Sequence, residues 1–137
     1  MSFHYKQHTA DMEIVVQSDT LEEVFDDFSR ALTGIICEQE ISEKKTFPIE
    51  VTANSLEALL FDFLDELIFL LDTESFVASR FVGELFNDSG SWVLDGIVYG
   101  DNINNYSHHG DLKAPTYHKL SIQQEGNGWV AHAVIDL

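Results

Sequence analysis

Between Met12 and Ser18 the apolar side chains of Met12, Ile14 and Val16 alternate with Glu13 and Gln17, the period-two pattern of a half-buried strand. Thr20 followed by Glu23 is a capping-box pair, so a helix starts there, with the hydroxyl accepting from an early amide and the carboxylate reaching back. Leu21, Val24, Phe25, Phe28, Leu32 and Ile35 then recur at helical spacing, while Glu22, Asp26 and Arg30 turn outward. Lys45 to Ala53 alternates Phe47, Ile49 and Val51 and predicts a second strand, whose outward Pro48 marks an edge. Asn54 or Ser55 caps a second helix, in which Leu56, Leu59, Leu60, Phe63, Leu64, Leu67, Ile68 and Leu71 form a wide apolar face. Its acids, Glu57, Asp62, Asp65 and Glu66, fall on the remaining face and read as solvated.

After Thr73 the period changes to two. Phe76 to Phe86, Trp92 to Tyr99, Leu112 to Gln123 and Trp129 to Leu137 read as strands, separated by Asn87 to Gly90, Gly100 to Gly110 and Glu125 to Gly128. Two helices and about six strands predict an α+β fold in which both helices pack on a mixed, largely antiparallel β-sheet sandwich. At 137 residues, the length predicts a single domain over 1–137. One long connection, Gly100 to Asp111, has no regular pattern, and long loops in compact domains are usually functional or mobile.

Composition narrows the function classes. The chain has 24 Asp and Glu against 7 Lys and Arg, a formal charge of -17. Nucleic-acid affinity comes largely from cations that displace phosphate counterions, so direct RNA or DNA binding is disfavoured, while divalent cations and basic partners are attracted. A lone Cys37 builds neither a disulfide nor a zinc site, and no charged-then-apolar leader is evident at the start. Together with the lack of a membrane-length apolar run, this gives the cytoplasm as the expected compartment. Phosphate-binding glycine loops and the serine, zinc and CxxC signatures are also missing from the sequence.

The remaining candidates sit at element ends. Asp11 closes the polar turn Gln7-His8-Thr9-Ala10-Asp11, where it reads equally well as a turn residue bonding its own backbone. Val134-Ile135-Asp136-Leu137 places the Asp136 side chain beside the Leu137 terminus, two carboxylates that repel unless a cation is present. With Asp11 and backbone carbonyls they would make an all-oxygen site suited to Mg²⁺, Ca²⁺ or Mn²⁺; the other reading is a frayed, solvated end. In Lys113-Ala114-Pro115-Thr116-Tyr117-His118-Lys119-Leu120, strand alternation puts His118 inward or lining a cleft and Tyr117 on the other face between two lysines.

The segments His8-Thr9-Ala10-Asp11, Leu56-Glu57-Ala58-Leu59-Leu60 through Leu64-Asp65-Glu66-Leu67, Lys113-Ala114 with Thr116-Tyr117-His118, and Ile135-Asp136-Leu137 together resemble the archease family, in the family's order and over nearly the full length. The resemblance implies an accessory protein for the GTP-dependent tRNA-splicing ligase, which joins RNA 3′-phosphate or 2′,3′-cyclic phosphate ends to 5′-hydroxyl ends. It implies promotion of ligase guanylylation and multiple turnover, and a divalent-metal site on Asp11, Asp136 and the backbone carbonyl of Leu137. Two other classes stand beside it: a metal-dependent hydrolase with Asp11 and Asp136 as ligands and His8 or His118 as base, and a general chaperone or modulator, suggested by the acidity.

Overall fold

The chain runs through β1 (Ser2–Gln7), β2 (Asp11–Ser18), α1 (Leu21–Ile36), β3 (Lys45–Ala53), α2 (Leu56–Glu74), β4 (Phe76–Asp88), β5 (Ser91–Asn102), β6 (Ala114–Glu125) and β7 (Gly128–Asp136). These elements belong to a computed structural model that describes residues 2–7 and 10–137. The strands form two sheets, ordered β1-β2-β7-β6 and β3-β5-β4. The expected α+β class with two helices is present, and every strand pair among the described residues is antiparallel. Strand β1 is additional to the six expected: Phe3 and Tyr5 do alternate with His4 and Lys6, but the segment is short and mostly exposed. Its Tyr5 donates a hydrogen bond to the carbonyl of Ala31 at 2.8 Å, which ties this edge strand to α1.

Local chemistry fixes both helices. The Thr20 hydroxyl accepts from Glu23 N at 3.1 Å, yet the expected return bond is not formed, and Glu23 Oε2 is buried without a hydrogen-bond partner among the described residues. Ser55 rather than Asn54 caps α2, accepting from Ala58 N at 3.0 Å. Each helix packs against strands of both sheets, α1 on β2 and β4, α2 on β6 and the three-stranded sheet. The core therefore lies where helices and inner sheet faces meet, around edge-to-face contacts of Phe63 with Phe25 at 5.4 Å and with Phe81 at 5.0 Å. Helix α1 also closes the free edge of β4, because the Asp26 carboxylate accepts from Phe81 N at 2.8 Å. No helix among the described residues is long and apolar enough to cross a membrane.

Two sequence expectations need correction here. The segment Gly100 to Asp111 is not a uniform loop: β5 runs to Asn102, a short 3-10 turn covers Ile103–Asn105, and His109 N donates to the carbonyl of Ile36 at 2.8 Å. What organises it is the buried Asp101 carboxylate, which accepts from Asn102 N, Asn105 Nδ2 and the Tyr106 hydroxyl. Glu57 is likewise not a solvated acid, since its Oε2 accepts from Ile122 N of β6 at 3.3 Å.

Candidate functional site

Alternation along β2 sends Ile14 and Val16 into the core at 0% exposure and leaves Asp11, Glu13 and Val15 on the outer sheet face. Along β7, Ala133 and Ile135 point inward, so Asp136 and Val134 share that outer face. The antiparallel register then sets Asp11 directly opposite Asp136. Two backbone bonds hold the end of the chain in place: Leu137 N donates to the Ala10 carbonyl at 3.0 Å, and Lys113 N donates to the Asp136 carbonyl at 2.9 Å. Asp11, Asp136 and Leu137 are all half-buried. The structure thus brings the three predicted metal-site residues to one corner of the four-stranded sheet.

The corner has two features that a cation relieves. Like charges directly opposite across a ladder destabilise it. In addition, Asp11 Oδ1 is buried and has no hydrogen-bond partner among the described residues, a condition that costs about 1–3 kcal/mol when nothing replaces the lost water. The donors are oxygens only, which fits Ca²⁺, Mg²⁺ or Mn²⁺. Among the described residues no third His, Cys, Asp or Glu joins the pair, which leaves the oxygens of Leu137, other uncharged oxygens and water as further donors. A cleft of about 410 Å³ opens beside this corner, lined by Met12, Ile35, Ile36, His109, Asp111 and Leu137 among others.

The two histidines named from the sequence fare differently. His8 lies outside the described residues. His118 is exposed rather than turned inward, because the β6–β7 register shifts between Thr116 and Ser121 and Lys119 takes a left-handed φ of 56°. That irregularity breaks the alternation on which the inward placement relied, and it lets Tyr117 stack flat on Phe61 of α2 with centroids 4.1 Å apart.

One group on this face escaped sequence reasoning. Glu13 is 2% exposed, His132 Nδ1 lies 3.1 Å from its Oε2, and Lys119 Nζ lies 3.5 Å from its Oε1. Burial pushes the Glu13 carboxyl up, but the His132 hydrogen bond and the charges of Lys119 and Lys6 outweigh it and hold the group below its ordinary value. A polar position in an alternating strand reads as solvated, and the partners that bury this one come from strands more than a hundred residues away.

Residues 3–137 match the model of the archease protein family. The archease of Pyrococcus furiosus is 37% identical over 138 residues, covering 98% of this chain and 96% of its own. That of Pyrobaculum neutrophilum is 34% identical, covering 98% and 95%. Among solved structures, protein 1598 of Methanobacterium thermoautotrophicum superposes with a TM-score of 0.86 at 28% identity, over 98% of each chain. A Thermotoga maritima protein described as an archease and possible chaperone shares the fold at a TM-score of 0.62 and 16% identity, over 96% of this chain and 94% of its own.

Proposed function

The chain belongs to the archease protein family, and we propose on that footing that it is a cytoplasmic accessory protein of a GTP-dependent tRNA-splicing RNA ligase, promoting the ligase's guanylylation and multiple turnover. The observation that supports this best is the Asp11–Asp136 pair, two opposed carboxylates, one with a buried oxygen that lacks a hydrogen-bond donor among the described residues. A divalent cation held there, of the Ca²⁺, Mg²⁺ or Mn²⁺ class, supplies positive charge that phosphate oxygens can share. Asp11 and Asp136 are its side-chain ligands and the Leu137 carbonyl a backbone ligand. The β2–β7 ladder and the Ala10 and Lys113 backbone bonds hold the backbone of that corner together.

The charge of -17 suits this role. An acidic protein is attracted to a surface built for RNA and does not itself compete as a cation for the RNA phosphates. The hydrolase reading has less behind it: its described candidate base, His118, is exposed in the β6 irregularity, and among the described residues no histidine makes a group of three with the aspartates.

Transfer of labelled GMP from GTP to a purified ligase of this type tests the proposal. With GTP and Mn²⁺, wild-type protein is expected to speed label incorporation, and the Asp11→Asn variant is expected to leave the ligase at its unassisted rate. No acceleration by folded wild-type protein, with the ligase itself active, would remove the accessory role.

A further inference from the structure

The outer face of the second sheet carries a pattern that the Asp11–Asp136 corner does not explain. Register aligns Pro48, Ile97 and Val82 in one row across β3, β5 and β4, then Glu50, Asp95 and Glu84 in the next, then Thr52, Val93 and Phe86. Ile97, Val82 and Phe86 are 41%, 50% and 45% exposed, and the three acids between them are exposed as well. None of these acids has an ion-pair partner among the described residues; the nearby Arg80 is held bidentately by Glu43 at 2.8 and 3.0 Å and lies over the Tyr99 ring. Like charges directly opposite one another destabilise a sheet, and apolar side chains in water on both sides of them add no solubility. The row therefore lowers the stability of the isolated chain.

We propose that this face is a docking surface for a basic, amphipathic segment of the RNA ligase, whose Lys or Arg side chains lie along the Glu50–Asp95–Glu84 row while its apolar side chains cover Ile97, Val82 and Phe86. The identity of the occupant rests on the accessory reading above; its chemistry rests on charge complementarity. A second copy of this chain is a poor occupant, because it brings the same acidic row and a charge of -17. Edge pairing is also poor, because Asp26 occupies the Phe81 amide on β4 and Pro48 has no amide to offer on β3. Binding across the face satisfies both the acids and the apolar rows.

The test uses the purified full chain and the purified ligase without RNA, with affinity followed by isothermal titration at low and high salt. The triple amide variant Glu50→Gln, Asp95→Asn, Glu84→Gln is expected to melt at or above the wild-type temperature, since it removes like-charge repulsion. It is expected to bind about tenfold more weakly at low salt, and the gap should close as salt is raised. Ile97→Thr, which keeps a β-branched side chain on an exposed strand position, is expected to weaken binding at every salt concentration. Equal affinity of wild type and triple variant overturns the docking surface and leaves the accessory role standing. Failure of wild type to bind the ligase overturns both, and self-association through this face, lost in Ile97→Thr, assigns it to a second copy and overturns the proposed occupant.

Discussion

His132 Nδ1 lies 3.1 Å from Glu13 Oε2, across the β2–β7 ladder on the outer face that also carries Asp11 and Asp136. The folded state holds the Glu13 carboxyl below its ordinary value of 4.5. Its charged form thus adds stability at pH values above 4.5, and the contribution is lost as pH falls through the lowered folded value. Glu13→Gln is expected to reduce stability by about 1–2 kcal/mol near neutral pH and by much less once the pH has fallen below the lowered folded value. Urea unfolding in the two pH ranges measures it, and an equal loss in both would show that packing, not charge, is responsible.

Tyr106 joins two segments that are distant in sequence. Its hydroxyl donates to Asp101 Oδ2 at 2.7 Å and accepts from Ser42 N at 2.9 Å. That hydrogen bond, with those from Asn102 and Asn105, holds the Asp101 carboxyl below the usual carboxylate range. Tyr106→Phe removes both contacts without changing the ring, so the urea midpoint should fall at constant m-value, and protease cleavage between residues 103 and 111 should speed up. Cleavage at the wild-type rate would mean that the other contacts suffice to pin the segment.

In the second sheet Gly83 faces Gly96, and the Phe81 ring lies over both. A methyl group on Gly83 would come within 2.6 Å of Phe81 Cζ and of the Asp95 carbonyl oxygen. Gly83→Ala is expected to destabilise the protein by about 1–3 kcal/mol through this overpacking, read as a lower melting temperature. An unchanged melting temperature would show that the Phe81 ring and the facing β5 backbone both shift at no cost.

The helices and most strands were legible because their burial follows one simple period. Phe25, Phe28, Phe63 and Leu64 fall on stripes that the sequence repeats and the structure buries completely. Partners set by tertiary register were not legible: nothing local reports that Glu57 takes the Ile122 amide or that Asp101 gathers three donors. His118 was misplaced for the same reason, since the register shift in β6 interrupts a period that the residues alone suggest is continuous. At the candidate site, the residue types pointed to oxygen coordination, but turn and frayed-end readings remained equal to it. The direct opposition of Asp11 and Asp136 follows only from the pairing of the chain's second strand with its last.

That opposition has a thermodynamic consequence. Asp136→Asn removes the repulsion between the paired carboxylates, so the variant without divalent cations is expected to be as stable as wild type or more stable. Wild type should gain about 2–3 kcal/mol when a cation is added at about one hundred times its dissociation constant, and the variant should gain little. Thermal melts with and without Ca²⁺, Mg²⁺ or Mn²⁺ measure both effects. A cation-dependent rise that survives in Asp136→Asn would place the ion elsewhere.

The accessory role is tested most directly by counting RNA joints per ligase molecule with the ligase limiting and GTP and Mn²⁺ in excess. Wild-type protein is expected to carry the ligase through many turnovers, and Asp136→Asn protein is expected to leave it near a single one. The same turnover number with wild type, with the variant and with neither would contradict the account.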